Sequence, residues 1–565
     1  MRKLLWIFWI VAGLSCVAVA DEGHHHEELT QQQLGTVHFP VSCAPEAQKG
    51  FEKGVALLHS FWYEEAEKTF ADVAQQDSKC AMAYWGEAMS LWHQLWDQPK
   101  EATIKRAEAE LKKADAAKAK TERERDYIGA LEVFYSNSKK LDHEARARAY
   151  SEAMEKVYQK YPDDHEAAAF YALSLLASEP DEDTTFANRK KAGVILGKLF
   201  DVEPNHPGIA HYLIHTYDKP QLAELGLPAA RRYAQVAPAA PHALHMPSHI
   251  FARVGDWPDS IKSNQASVEA TRKMAAMHMG GEWHQFHAMD FMIYACLQSG
   301  READAQHVID EVKTMPAMHM EGMERDMQAF AMSKFPAMYA MELHRWSEAG
   351  ALPVIAKADP GDRAYTYWAR AIGNARSGKL GEAKRDLAEL ESIHKGLLAK
   401  KGHRYGAEWV DMLRQEGLAW VAHAEGRDEE ATSALRKIAD HEDAVGEEQT
   451  SMPAREMLAD MLVEMKRPEQ ALAEYQGDLK FNPKRFDGLY GAARAAEMAN
   501  QPAQAAEYYA LLVKTCEGSN SDRPELAKAK LAVVAAKWRG AVIPADFLAA
   551  RTRGVILTCV AVMSS

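Results

Sequence analysis

Small and apolar positions recur along this chain with helical spacing, and the units they form repeat. Ala459, Pro468, Ala471 and Tyr475 return as Ala493, Pro502, Ala505 and Tyr509, each 34 residues later. Ala349 and Ala383 are a second pair with the same offset of 34. A short turn followed by an acidic residue and a small one precedes Ala66, Ser260, Ala305, Ala349, Ala383, Ala431, Ala471 and Ala505. A small residue lets two helices approach closely, and an aromatic four positions on, as Phe70 stands to Ala66, fills the space above it. Pro162, Pro204, Pro238 and Pro483 fall where second helices should stop. From Ser260 onward the phrases are 34 to 48 residues apart, so several units carry longer loops. Strand signals are nearly absent before the last dozen residues. The pattern predicts an all-α, tetratricopeptide-type helical-hairpin repeat solenoid, whose first helices line a concave groove.

The ends read differently. Arg2 and Lys3 precede an apolar run closed by Ala18-Val19-Ala20, which predicts a secretory signal peptide over 1–20, cleaved after Ala20. The alternative, a lipoprotein signal at Cys16, has Leu14 in the wrong slot. Residues 21–45 then form a flexible leader with His24-His25-His26, able to capture Cu(II) or Ni(II). Residues 46–358 hold N-terminal repeats, 359–516 C-terminal repeats, and 517–565 a linker, a capping helix and a tail of unread role. No later segment is apolar enough to span a membrane. A periplasmic or secreted protein is expected.

Without Arg2 and Lys3 the chain carries 65 basic and 81 acidic residues, a formal charge of −16, which argues against nucleic acid as a partner. Cys43, Cys80, Cys296, Cys516 and Cys559 are sparse and show no paired C-x-x-C spacing. Cys43 and Cys80 are either a bridge pinning the leader to the first repeat or two buried thiols.

Histidine is unevenly spread. Nine of 24 lie between His206 and His287, in the segments HPGIAHYLIHTYD, HALHMPSHIF and WHQFH plus His278. His211/His215 and His245/His249 are four apart; His242/His245 and His284/His287 are three apart. Either spacing sets two imidazoles on one helical face. Each segment opens a repeat, so His211, His215, His242, His245, His249, His284 and His287 are candidate ligands facing one groove. His59 and His93 join only if the superhelix is tightly wound. For a single pair the plain reading is a solvated or hydrogen-bonded side chain; three consecutive segments strengthen the metal reading. HExxH, GxSxG, P-loop and GxGxxG motifs are all missing.

Thirteen of 25 methionines fall between Met274 and Met341, and MAAMHM is echoed by MPAMHM. They read first as a pliable apolar surface for peptides. The second reading makes Met277, His278, Met279, Met318, His319 and Met320 soft donors for copper.

The strings HFPVSC, GVALLHSFWYEEAEKTF, CAMAYWGEAMS, KTERERDYI, HPGIAHYLIHTYD and APHALHMPSHIFARVGDW resemble those of bacterial secreted tetratricopeptide-repeat proteins, from about residue 38 to 515. The resemblance implies a repeat scaffold acting through interactions. Such proteins often carry His-Asn-x-His-Phe where this chain has His284-Gln285-Phe286-His287, which keeps both histidines. That likeness marks the histidines as a set without naming a metal or a reaction.

The leading expectation is therefore an extracytoplasmic scaffold that binds a peptide or protein in its groove and a transition metal, copper or zinc, on its histidines. The rival is a metalloenzyme using the same histidines to activate water or oxygen. Asp218, Glu282 and Asp290 are then candidate ligands or bases, and Tyr212 and Tyr217 outer hydrogen-bonding partners. A third reading is a pure interaction module without metal. Oligomeric state is not readable.

Overall fold

A computed structural model describes residues 29–95, 98–180, 182–277, 279, 281–319, 325–400, 404–446 and 450–540. The predicted signal peptide, His24-His25-His26, His278, Met320, Cys559 and the terminal tail lie outside them. Among the described residues the chain is all-α, a solenoid of paired helices; the sole extended pairing is the isolated bridge His319–Asp326.

The expected packing logic recurs at both ends. Helix Pro502–Thr515 begins on its proline, which loses no hydrogen bond in the first turn, and buries Ala505, Tyr509 and Leu512. A Cβ on Gly491 would collide with the Tyr475 ring, and Cβ atoms on Gly54 and Gly86 would collide with Phe70. Each aromatic thus sits directly on backbone that only glycine leaves bare.

Seven helices position the site. They are α1 (Pro45–His59), α2 (His165–Ala177), α3 (Pro207–Tyr217), α4 (Pro241–His245), α5 (Pro247–Arg253), α6 (Trp257–Ala276) and α7 (His284–Gln298). The HALHMPSHIF segment is two short helices rather than one. Pro247 lacks the N–H that would continue the ladder, so α5 starts afresh on it.

Two further features differ from expectation or exceed it. Residues 29–43, expected as part of a flexible leader, are packed from Leu29 on. Leu34, Val37 and Phe39 are buried, Phe39 wholly. Thr36 N–H donates to Asn205 C=O and Ala239 N–H to Gln33 C=O, both near 3 Å. Cys43 and Cys80 are joined as a disulfide, with Cα atoms 4.7 Å apart.

The superhelix is also wound tightly enough for its C-terminal repeats to return to the middle ones. Trp257 Nε1–H donates to Lys484 C=O at 2.9 Å, and Lys219 Nζ donates to Val445 C=O at 2.6 Å. Arg485, wholly buried, bridges Glu342 and Glu456 and donates to Tyr294 Oη at 2.6 Å. A guanidinium there is tolerable only because both carboxylates answer it. No helix among the described residues is long and apolar enough to cross a membrane.

Candidate metal centre

Helix α3 places His211 and His215 one turn apart, and α4 brings His242 against them. His211 Nε2 stands 3.1 Å from His215 Nε2 and 3.1 Å from His242 Nε2. Four neighbouring histidines divide differently from their spacing. His245 at the end of α4, His249 on α5 and His287 on α7 form a second triad, with His245 Nε2 2.9 Å from His249 Nε2. In each triad the candidate donor atoms lie within 4.8 Å of one another. Imidazole nitrogens bound tetrahedrally at 2.0–2.1 Å from a metal would be about 3.3 Å apart.

Outer hydrogen bonds orient these rings. His211 Nδ1–H donates to the His59 carbonyl at 2.6 Å. His245 Nδ1–H donates to Asn264 Oδ1 at 2.7 Å; the Asn264 amide nitrogen donates to Ser260 C=O, which fixes the oxygen as acceptor. His249 Nδ1–H donates to Asp218 Oδ2 at 2.8 Å, and Arg253 Nε donates to the other oxygen at 3.1 Å. A carbonyl, amide oxygen or carboxylate on Nδ1 leaves the Nε2 lone pair directed inward. The His245 and His249 lone pairs, facing each other at 2.9 Å, repel unless a cation lies between them.

Burial keeps five of these rings neutral. It pushes His211 down to about 3 and holds His215, His242, His245 and His287 well below the ordinary histidine value; neighbouring histidines act in the same direction. Burial raises Asp218, but His249, Arg253 and Arg189 outweigh it and hold the group ionised. Each triad is also covered by a phenylalanine. Phe61 stacks on His215 and His242, with ring centroids 5.5 and 5.6 Å away, and meets His211 edge-on at 4.4 Å. Phe291 lies 5.1, 4.5 and 5.3 Å from His245, His249 and His287. Phe61 adopts φ 53°, a costly conformation for a residue with a Cβ, where the chain turns out of α1.

The triads are neighbours. His242 and His245 have ring centroids 6.1 Å apart across the divide, His215 and His249 6.4 Å. Two three-imidazole positions therefore sit side by side, six imidazole donors in all.

The other candidates lie elsewhere. His284 belongs to neither triad; it stacks on Trp283 at 3.8 Å and lies 5.5 Å from His242. The spacing pairs His242/His245 and His284/His287 are thus split, because α4 ends at His245 and turns its last ring toward α5 and α7. His93 stacks on Tyr63 at 4.3 Å. Met277 caps α6, Met279 offers its carbonyl to Trp62, Met318 Sδ accepts from Gln285, and His319 is exposed. Glu282 is in neither triad, and Asp290 pairs with Lys334 at 2.6 Å. Tyr217 packs its hydroxyl against Gly193.

His59 forms a third, separate cluster. Its Nε2 is 2.7 Å from one Glu166 oxygen, and His206 Nε2 is 2.9 Å from the other. His59 Nδ1 meets Tyr212 Oη at 2.8 Å, and His206 Nδ1 accepts from Ile209 N–H. Every ring nitrogen there has a partner, so the cluster is complete without an ion. Its contribution to the triads is the His59 carbonyl. Sequence reasoning missed that carbonyl, Asn264, Phe61 and Phe291. Only the asparagine one helix away carried any signal, as a polar residue on the buried face of α6.

A cavity of about 940 Å³ opens beside the triads, lined by His242, His249 and His287 and, on the far side, by Trp409, Val445 and Thr450 of the returning repeats.

No protein-family model matches the chain, and no curated protein is similar to it. Among solved structures, it is similar to a human IFIT1 dimer with PPP-AAAA at 11% identity and TM-score 0.35, covering 77% of this chain and 91% of that one. A P58(IPK) TPR domain gives 14% and 0.21, covering 66% and 99%. The Cut9–Hcn1 hetero-tetramer gives 10% and 0.25, covering 74% and 84%. Scores this low carry no functional argument, and the helical solenoid stands on the chain's own helices.

Proposed function

We propose that the two triads form a dinuclear copper centre and that the protein is an oxygen-reacting metalloenzyme. The observation that carries this reading is the convergence of Nε2 atoms at 2.9–3.1 Å with Nδ1 of His211, His245 and His249 each committed to an acceptor. Imidazole suits copper and zinc, whereas magnesium, calcium and manganese prefer carboxylates and water. Neither triad includes a carboxylate to offset charge, and Arg253 stands close by on Asp218. A buried, neutral donor set beside a cation favours the ion of lowest charge, Cu(I).

Copper so held supplies the binding and reduction of O2. The chain's own groups do the rest. Nδ1 acceptors fix the orientations of His211, His245 and His249, burial keeps His211, His215, His242, His245 and His287 unprotonated, Phe61 and Phe291 exclude bulk water, and the cavity admits the co-substrate. A zinc pair activating water is the second reading, since the same donors fit zinc. The peptide-holding scaffold is the weaker reading: the concavity beside the triads is bounded on its far side, in the size range of small-molecule sites. A periplasmic or secreted location is part of the proposal, supported by residues 1–20 and by the Cys43–Cys80 disulfide, which suits an oxidising compartment.

Elemental analysis of the purified mature chain tests this. The expected result is two copper ions per chain, one lost in His211→Ala and one in His245→Ala. A protein that takes up neither copper nor zinc, with an unchanged melting temperature on adding either, would sink the proposal.

A further inference from the structure

The cavity beside the triads has two chemically distinct walls. One is aromatic: Phe291 covers the second triad, and Phe330, Tyr365 and Trp409 form a row with ring centroids 6.2 and 5.9 Å apart. The other is cationic, beside His249, where Arg189, Lys219 and Arg253 gather. Two of these cations are already engaged by carboxylates. Arg189 Nε contacts both oxygens of Glu179, and Arg253 contacts Asp218. Lys219 is different. Its ammonium meets the Val445 carbonyl, and no carboxylate pairs with it among the described residues. It is half-buried; burial and the two arginines lower its pKa to about 8 against the pull of Glu179 and Asp218, carboxylates the arginines already hold, so it stays charged at neutral pH with no carboxylate in contact.

The acidic lining does not cancel this. Asp218 is held by His249 and Arg253, Asp290 by Lys334 and Thr450, and Asp411 by Arg414 and Gln415. Glu442 accepts from Ala454 N–H, while Glu182 and Glu408 are exposed. The vacancy in the charge pattern is therefore for an anion, beside aromatic surface, next to the triads.

We infer that the substrate is a small aromatic acid bearing phenolic hydroxyls, its carboxylate bound by Lys219 and its ring by the Phe291 and Phe330–Tyr365–Trp409 wall. This rests on the oxygen-reacting reading above. For an ortho-diphenol the overall step balances with O2 as oxidant. Two diphenols each lose two electrons and two protons, giving two quinones, and one O2 is reduced to two waters. Lys219 binds and orients; it takes no part in electron transfer.

The test uses the full mature chain stripped of metal, so that it reads the cavity independently of the metal. Binding of 3,4-dihydroxybenzoate, catechol and dopamine is measured by calorimetry and by quenching of tryptophan fluorescence. The expected result is 3,4-dihydroxybenzoate bound about tenfold more tightly than the neutral and cationic probes, the gain of one charge-assisted hydrogen bond. Lys219→Gln, which keeps a donor for Val445, should abolish that preference, and Lys437→Gln, on an exposed lining residue, should leave it intact. Equal affinity for the three probes, preference for dopamine, no binding, or a preference unchanged in Lys219→Gln would each overturn the inference. Failure of the copper reading is separate: it shows as a metal-free protein in elemental analysis.

Discussion

Two histidine clusters meet at the His59 carbonyl and solve opposite problems. In the His59–Glu166–His206 cluster one carboxylate answers two imidazoles, and the outer nitrogens meet Tyr212 and a backbone N–H. In the triads His211, His245 and His249 have their acceptors outside, on Nδ1, and turn Nε2 lone pairs inward. The first arrangement is closed and stabilises the fold. The second leaves inward donors unanswered, and on the copper proposal an ion would answer them. Residue type does not separate them; the position of the acceptor does.

The largest effect should come from opening the closed cluster. Glu166→Ala strands two buried imidazoles and should cost about 3–5 kcal/mol in denaturant unfolding, with metal or without. The triads should respond the other way. Asp218→Asn weakens the acceptor behind His249 and should lower metal affinity about 10- to 100-fold in competition with a chelator, while the metal-free protein keeps its fold.

Acid should sharpen the contrast. His211 falls to about 3 in the folded chain, from about 6.5 unfolded. Below 6.5 the unfolded state takes up protons that the folded ring refuses, so stability is lost as pH falls from 6.5 toward 3. The limit is about 1.4 kcal/mol per pH unit for each such histidine. The other depressed triad rings add to the slope; bound metal should raise the whole curve without flattening it, because liganded rings refuse protons too, and should carry the loss on below pH 3. Chemical denaturation at stepped pH, with and without copper, measures this. The smallest effect belongs to His319→Ala, exposed and in neither cluster: less than about 0.5 kcal/mol and no change in metal content.

Much of the architecture was legible in the chain. The repeat period, the hairpins and the two i,i+4 histidine pairs follow from local spacing, and those pairs do share triads. The sorting of the remaining rings was not legible, because it depends on the break at Met246-Pro247 and on which neighbour α7 faces. Spacing alone grouped His242 with His245 and His284 with His287, and tertiary packing separated both pairs. His59 entered the sequence reading as a remote imidazole; it matters through its carbonyl, which no side-chain pattern encodes. Asp218 was visible as a nearby carboxylate, but its place behind His249 was not. The packed leader was hidden for a related reason: Val37 and Phe39 are too few to make a periodic signal.

That leader has a consequence for assembly. Thr36 bonds to Asn205 just ahead of α3, and Gln33 to Ala239 just ahead of α4, so one short stretch ties together the two segments that supply the first triad. It is synthesised long before either of them. A nascent chain thus holds the fastener well before the parts it fastens, and a competent first triad forms only when its oldest and its middle residues meet. On the copper proposal, ion uptake would then come late, after folding has gathered about two hundred residues.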